Sequence, residues 1–369
     1  MKVSWSLPNF EKEEKEAAIR VINSGWVTQG RETEKFEKEL CDYIGCKYAI
    51  VVNNGTSALI TSLLAQGIGK GDEVIVPSLT FIASVNSIIA VGAKPVLVDS
   101  DLNTWNTTPE LVKEKITDKT KAILPVNVAG MPIGVEGFER LAKENSLILI
   151  EDSAESIGAQ YKNKRIGGFN HTSIFSFHMA KPLSTVEGGC IVTNDKEIAE
   201  KCRAIRNHGM ESGYDYSKPE INYDYGLFGL NFRITDIQSA IGREQLKKLD
   251  KTIEHRNKLV KRYKEALNGF FEFQLVPDYV SLHPYMFFGI LVDEKKRDYL
   301  IKHLNKNGIP TRVCWLPTHS QRHHKNIFVD ESYPNAEKIG SKIVTLPLGN
   351  ALKIEEVDYI IDTIKEFLK

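Results

Sequence analysis

Lys181 closes the run Ser176-Phe177-His178-Met179-Ala180-Lys181, with Pro182 and Leu183 after it. A surface lysine ordinarily keeps polar company. One held against small and apolar neighbours can instead work as a nucleophilic amine, although a solvated lysine is the plainer reading of this residue alone. Twenty-nine residues upstream, the apolar run 147–150 ends in Glu151-Asp152-Ser153-Ala154-Glu155. An aspartate at a buried strand end is poorly solvated and wants a cationic partner. Such a residue also serves metals, ribose hydroxyls or packing. Together, an aspartate and a later lysine are the minimal kit for pyridoxal phosphate (PLP). The carboxylate keeps the pyridine nitrogen protonated, and the lysine holds the aldehyde as a Schiff base.

That cofactor also needs a phosphate cradle. Asn54-Gly55-Thr56-Ser57 follows an apolar run and opens a helical pattern. Gly55 allows close backbone approach, Thr56 and Ser57 offer hydroxyls, and a helix N-terminus offers free N–H groups. Simple N-capping would use the same residues. Phe81, in Ser78-Leu79-Thr80-Phe81, lies at another helix entrance, where it could stack on a flat ring or belong to the core. Gly67-Ile68-Gly69-Lys70-Gly71-Asp72 precedes a strand rather than following one and reads as a turn, and no Walker loop, H-E-x-x-H or G-x-S-x-G occurs.

The elements that must position these residues show a regular beat. Apolar β-type runs at 48–52, 74–77, 95–99, 122–126, 147–150 and 173–177 begin about 20–27 residues apart, with helical periodicity at 57–65 and 82–91. This is the rhythm of βαβ units and a mostly parallel sheet. Near-continuous Val/Ile/Leu in the strands implies burial on both faces, and ligands of such sheets sit at the strands' carboxyl ends. Beyond residue 230 the pattern changes. Two helices are expected at 234–249 and 251–267, then β-type runs at 270–276, 286–292 and 311–316, with helices at 295–306 and 354–367, forming a smaller α+β domain.

The chain has 369 residues, 42% of them apolar, and 48 Lys+Arg balance 48 Asp+Glu. A core of ordinary size is expected, and the zero net charge gives no electrostatic footprint for nucleic acid or anionic membrane. No apolar run is long enough to cross a membrane. The five cysteines are odd in number and form no C-x-x-C, so reduced thiols, no metal site and a cytoplasmic setting are expected.

In this order, several landmarks resemble the DegT/StrS-type family of sugar aminotransferases, and most closely its perosamine-synthase-like branch. They include Gly25-Trp26-Val27-Thr28-Gln29-Gly30, Asn54-Gly55-Thr56-Ser57, Glu151-Asp152-Ser153-Ala154-Glu155 and Ser176 to Lys181 with Glu187-Gly188-Gly189. Gly229-Leu230-Asn231-Phe232-Arg233, Pro317-Thr318-His319 and Leu346-Pro347-Leu348 complete the set. The resemblance implies the aspartate aminotransferase (type I PLP) fold, with residues 1–248 as the large PLP-binding domain and 249–369 as the small one. It makes Lys181 the Schiff-base lysine and Asp152 the partner of the pyridinium nitrogen. Glu155 falls near the ring's 3-hydroxyl, Phe81 on the ring, and Gly55, Thr56, Ser57 and Ser176 around the phosphate. Asn231 would reach the neighbouring subunit's cofactor in a homodimer, and Thr28 and His319 would meet the substrate.

The implied reaction moves the amino group of L-glutamate to a nucleotide-linked ketosugar. The lysine-to-Glu187-Gly188-Gly189 spacing, with Thr185 inside it, is similar to members that aminate carbon 4 of a 4-keto-6-deoxysugar. Alternatives are amination at carbon 3, another PLP-dependent sugar modification, or a regulator that kept the fold without catalysis. Where the family often has His-Leu-Tyr-Gly, this chain has Asn127-Val128-Ala129-Gly130, so an unusual sugar pocket is expected.

Overall fold

The computed structural model describes residues 2–210 and 225–369. Helices α1 (Lys12–Ser24) and α2 (Arg31–Ile44) lead into β1 (Tyr48–Val52). Helices and strands then alternate: α3 (Gly55–Ala65), β2 (Glu73–Pro77), α4 (Ile82–Ala90), β3 (Lys94–Val98), α5 (Pro109–Lys113), β4 (Thr120–Ile123), α6 (Val135–Glu144) and β5 (Ile148–Asp152). A two-residue pair, β6 (Gln160–Tyr161) and β7 (Lys164–Arg165), precedes β8 (Thr172–Ser176) and β9 (Gly189–Thr193).

Seven of these strands form one sheet in the order β1-β9-β8-β5-β4-β2-β3. Only β9 runs against its neighbours β1 and β8; every other adjacent pair is parallel. The expected α/β class with a mostly parallel central sheet is therefore what forms. Alternate residues serve opposite layers: Ile50, Val52, Val74 and Val76 join one apolar cluster, while Ala49, Val51 and Ile75 join the other. Burial on both faces is why these strands read as unbroken apolar runs.

After α7 (Lys196–Arg206) the chain reaches α8 (Asp236–Leu267), a single helix of 32 residues. The two helices expected at 234–249 and 251–267 are thus one, and residues 248 and 249 lie inside it. Neither Gly nor Pro interrupts the junction, so nothing breaks the hydrogen-bond ladder. A capping box starts α8, Thr235 Oγ1 accepting from the Gln238 N–H at 3.2 Å while Gln238 Oε1 accepts from the Thr235 N–H at 3.2 Å. Gly242, in its interior, faces Phe36 and Thr185; an added Cβ would stand 2.6 Å from the Phe36 ring. The helical cost of glycine, about 1 kcal/mol, is offset by this close packing of α8 against α2 and the loop carrying Lys181.

The remaining chain holds β10 (Glu272–Phe273), β11 (Val280–Leu282), β12 (Phe288–Leu291), α9 (Glu294–Lys306), α10 (Pro334–Lys342), β13 (Ile343–Leu346) and α11 (Ile354–Leu368). Strands β10, β12 and β13 form a small antiparallel sheet, and β11 pairs with β6. The run expected at 270–276 shrinks to β10. The run at 311–316, bracketed by Pro310 and Pro317, forms no strand and contributes only the pairing of Arg312 with Thr345. Arg256 of α8 is wholly buried and donates to the carbonyls of Tyr285 (2.9 Å) and Met286 (2.7 Å) and to Asn350 Oδ1 (2.7 Å). Burial lowers its pKa to about 9. Asn350 Nδ2 in turn donates to the Pro182 carbonyl at 3.1 Å, tying this group to the residue after Lys181.

Candidate active site

A cavity of about 750 Å³ opens where β1, β2, β5 and β8 end and the segments around Met286, Arg312 and Leu346 face them. It is lined by Gly55, Thr56, Ser57, Phe81, Asp152, Glu155, Ser176 and Lys181, so eight of the eleven residues singled out in the sequence meet at one place. The parallel topology explains this, because every one of those segments follows the carboxyl end of a strand or precedes the returning β9.

Lys181 lies in the loop between β8 and β9 and is mostly buried. Its backbone N–H donates to the His178 carbonyl at 2.9 Å, forming a tight turn, and its Nζ lies 3.5 Å from Glu155 Oε1. Asp152, the last residue of β5, accepts from Ser84 Oγ at 2.6 Å and from the Ala154 N–H at 3.1 Å. Burial pushes its carboxyl above the ordinary value, against the pull of those two donors and the Lys181 charge. Glu155 is raised for the same first reason, although Lys181 and the Ala129 N–H both oppose the shift. The stretch that departs from the family pattern supplies that N–H. Ala129 adopts a left-handed φ of 61° and donates to Glu155 Oε2 at 2.8 Å.

At the other side, α3 points its N-terminus into the cavity. Asn54 Oδ1 caps the Ser57 N–H at 2.8 Å, and the Gly55 and Thr56 N–H groups precede the first intrahelical bond. A Cβ on Gly55 would stand 3.0 Å from that of Ser176, so only glycine lets this helix start meet the end of β8. The capping and phosphate-holding readings of the sequence are therefore compatible. A buried carboxylate facing the cavity, the Glu155 Oε1 atom without a hydrogen-bond partner, and an open helix start beside two hydroxyls fit a PLP molecule. Asp152 would take the pyridine nitrogen, Glu155 the ring side near Lys181, and the α3 start with Ser57 and Ser176 the phosphate. Phe81 stands on the wall at the start of α4, its ring 5.0 Å from that of Trp315.

Three sequence-predicted residues do not line the cavity. His319, expected at the substrate, is buried away from it. Its Nδ1 pairs with Ser78 Oγ at 2.7 Å and its Nε2 with Glu337 at 3.1 Å, so both nitrogens are committed to joining the loop after β2 to α10. Thr28 is exposed beside the start of α8, its carbonyl 3.3 Å from the Asp236 N–H. Asn231 is exposed too, its backbone bridged to Asn207.

Sequence reasoning missed the network behind Asp152. His171 places Nδ1 3.1 Å from Glu139 and Nε2 3.0 Å from Glu151, which also accepts from Ser173 Oγ (2.9 Å) and Asn127 Nδ2 (2.8 Å). Glu151 and Ser173 are register partners across β5 and β8, the one sign of this cluster available from strand pairing. Burial lowers the His171 pKa, but its two glutamates win and raise it to about 9. The folded value lies above the unfolded one near 6.5. The stability from this proton is therefore full below pH 6.5 and is lost as pH rises through 9, a swing of roughly 3 kcal/mol. The melting temperature should fall across that window, and His171→Asn should flatten the fall. Equal slopes would show that His171 is uncharged in the fold.

Among the described residues no helix is long and apolar enough to cross a membrane, and no cluster of three or more His, Cys, Asp or Glu could hold a metal. The five cysteines are free.

The sheet order, with a lysine loop facing a buried carboxylate at the end of β5, is an arrangement that suits an aminotransferase. The model of the DegT/DnrJ/EryC1/StrS aminotransferase family matches residues 8–365, and the chain belongs to that family. It is 37% identical over 362 residues to the GDP-perosamine synthase of Escherichia coli O157:H7, covering 98% of this chain and 97% of that one. Among solved structures it is similar to Helicobacter pylori PseC, an aminotransferase involved in the biosynthesis of pseudoaminic acid, at 32% identity and a TM-score of 0.91, covering 100% and 99% of the chains. It also matches the PLP form of Spr1654 from Streptococcus pneumoniae at 27% identity and a TM-score of 0.93, covering 100% and 98%.

Proposed function

We propose that the protein binds PLP and transfers the amino group of L-glutamate to carbon 4 of a nucleotide-linked 4-keto-6-deoxysugar. The observation that carries this reading is the convergence of Lys181, Asp152 and Glu155 in one cavity facing the start of α3. The similarity to a GDP-perosamine synthase supports a nucleotide sugar as acceptor, and the short spacing from Lys181 to Glu187 supports carbon 4.

PLP supplies an aldehyde that takes up amino groups and a ring that withdraws electrons. The protein's residues do the rest. Lys181 Nζ would take the proton from the α-carbon of the donor and pass it to the cofactor, and in the second half-reaction would move a proton from the cofactor to the sugar carbon that is aminated. Asp152 Oδ holds the proton on the ring nitrogen, with Ser84 fixing the carboxylate. Ser57, Ser176 and the α3 N–H groups hold the phosphate. Phe81, Phe287 and Trp315 exclude water from the reacting side. One site serves two substrates in turn, so ping-pong kinetics follow. Release of 2-oxoglutarate from glutamate, assayed against a panel of nucleotide-linked 4-ketosugars, tests the reading; no release with any of them would sink it.

The working unit is a homodimer in this proposal. Asn231 is exposed, lies outside its own chain's cavity and neighbours the exposed Phe228 and Leu230, as a residue serving a second subunit would. Thr28, equally exposed, would reach substrate in the same way. Mixing inactive Lys181→Ala subunits with impaired Asn231→Asp subunits should restore measurable activity. A heterodimer then carries both lesions at one site and neither at the other. A carboxylate beside a phosphate is repulsive enough to impair the second variant. No rescue, with subunit exchange verified, would confine Asn231 to its own chain.

A further inference from the structure

Seven titratable side chains line the cavity: Asp152, Glu155, Lys181, His178, Glu187, Arg312 and Cys314. The first three face the groups of PLP. Of the others, His178 and Glu187 flank the lysine loop at the rim and stand together, His178 Nε2 lying 3.8 Å from Glu187 Oε1. Glu187 has no Lys or Arg within ion-pair distance among the described residues, and its side chain is 55% exposed, so a ligand can reach the carboxylate.

The backbone holds this pair in place at a conformational cost. Val186 has a φ of 72°, a genuine outlier for a β-branched residue, and its side chain is half exposed rather than packed. Such strain persists only where surrounding structure enforces it, and it concentrates at ligand sites. The enforcing bonds are present. The Glu187 carbonyl accepts from Thr185 Oγ1 and from Gln238 Nε2 of α8, each at 2.7 Å, and the Val186 N–H donates to Ser184 Oγ at 3.1 Å. His178 is fixed as well. Its Nδ1 accepts from the Ala180 N–H at 3.3 Å, which leaves its proton on Nε2, toward Glu187 and the cavity.

We propose that Glu187 and His178 form the subsite that reads the acceptor sugar. The carboxylate accepts from hydroxyls beside the aminated carbon, and the imidazole N–H donates to a sugar oxygen. The proposal rests on the nucleotide-ketosugar reading. It follows from what the cavity has left to offer: the wall around Trp5, Trp315, Phe287 and Leu348 is largely apolar, and Arg312, its guanidinium 5.7 Å from the Trp5 ring centroid, carries a positive charge that suits an anionic group rather than a pattern of sugar hydroxyls. L-Glutamate has no hydroxyl for a carboxylate to accept from, and its two carboxylates are repelled by Glu187, so the pair discriminates between the two substrates of the same site.

The two half-reactions can be followed separately on PLP-loaded enzyme. In Glu187→Gln the KM for the nucleotide ketosugar should rise at least about tenfold, because a hydrogen bond to a charged acceptor is lost. The glutamate half-reaction should stay within about twofold of wild type, and the melting temperature should not change. His178→Asn should shift the same half-reaction in the same direction. Calorimetry of the nucleotide-linked aminosugar product binding to Glu187→Gln should show a matching loss of affinity. An unchanged ketosugar KM in both variants, equal losses in both half-reactions, or loss of subunit assembly would overturn the subsite. A wild-type enzyme that turned over no nucleotide ketosugar would instead overturn the function on which it rests.

Discussion

Lys181→Ala should abolish amino transfer and leave the fold intact. The side chain makes one ion pair, to Glu155 at 3.5 Å, and the turn that carries it is held by backbone bonds that alanine keeps. Nothing else in the cavity can replace the amine. His178 sits one turn earlier with its Nδ1 committed to the Ala180 N–H, and Glu155 and Asp152 are acids. A positioned acid–base group is worth 10²–10⁴ in rate, and in the proposed mechanism the same amine also anchors the cofactor, so a loss of at least about 10³-fold is expected. The variant should still bind pyridoxamine phosphate, because the phosphate cradle and the Asp152 wall are untouched. Turnover within tenfold of wild type would remove Lys181 from its assigned role.

Asp152→Asn should keep the cofactor and lose most of the rate. An amide can accept a hydrogen bond but cannot hold a proton on a pyridine nitrogen as a carboxylate does. Ser84 would still donate at the same position, so the geometry survives while the charge does not. Each tenfold loss adds about 1.4 kcal/mol to the barrier, and a loss of roughly 10³-fold, about 4 kcal/mol, is expected. Cofactor affinity measured by dialysis should change far less than kcat. Near-normal kinetics would place the partner of the ring nitrogen elsewhere.

The residues most legible in the sequence were those whose position follows from strand ends. Asp152, Gly55, Phe81 and Ser176 each sit within a few residues of a strand's carboxyl end, and a parallel sheet brings such ends together whatever the loops between them do. His319 does not line the cavity, because a motif fixes neighbours in sequence but not orientation. Its ring turns to Ser78 and Glu337, away from the cavity. The Glu151–His171–Glu139 group was invisible because it depends on which strand lies beside β5, and sheet order is not written in local periodicity. The continuity of α8 was missed for the opposite reason. A change of packing partner along the helix, from α1 and α2 to α11, altered its apolar stripe without any break in the chain. The antiparallel direction of β9 was not legible either, since it depends on how the lysine turn closes.

The single helix α8 makes the molecule intolerant of changes in length at one place. Near its start the Asp236 carboxylate accepts from the Gly30 and Thr33 N–H groups, and twenty residues on Arg256 grips the carbonyls of Tyr285 and Met286. One residue inserted between those anchors would turn everything beyond it by ~100° and advance it by ~1.5 Å. Either the grip on the lysine-bearing half or the grip on the opposite wall would then be lost. Two whole turns, seven residues, would restore the azimuth to within ~20° but displace one wall by ~10 Å. The helix is therefore a gauge bar whose tolerance is less than one residue. Natural length variation must fall in the loops, and a chain cut near residue 250 would yield two fragments that each lack half of the ruler spacing the walls of the cavity.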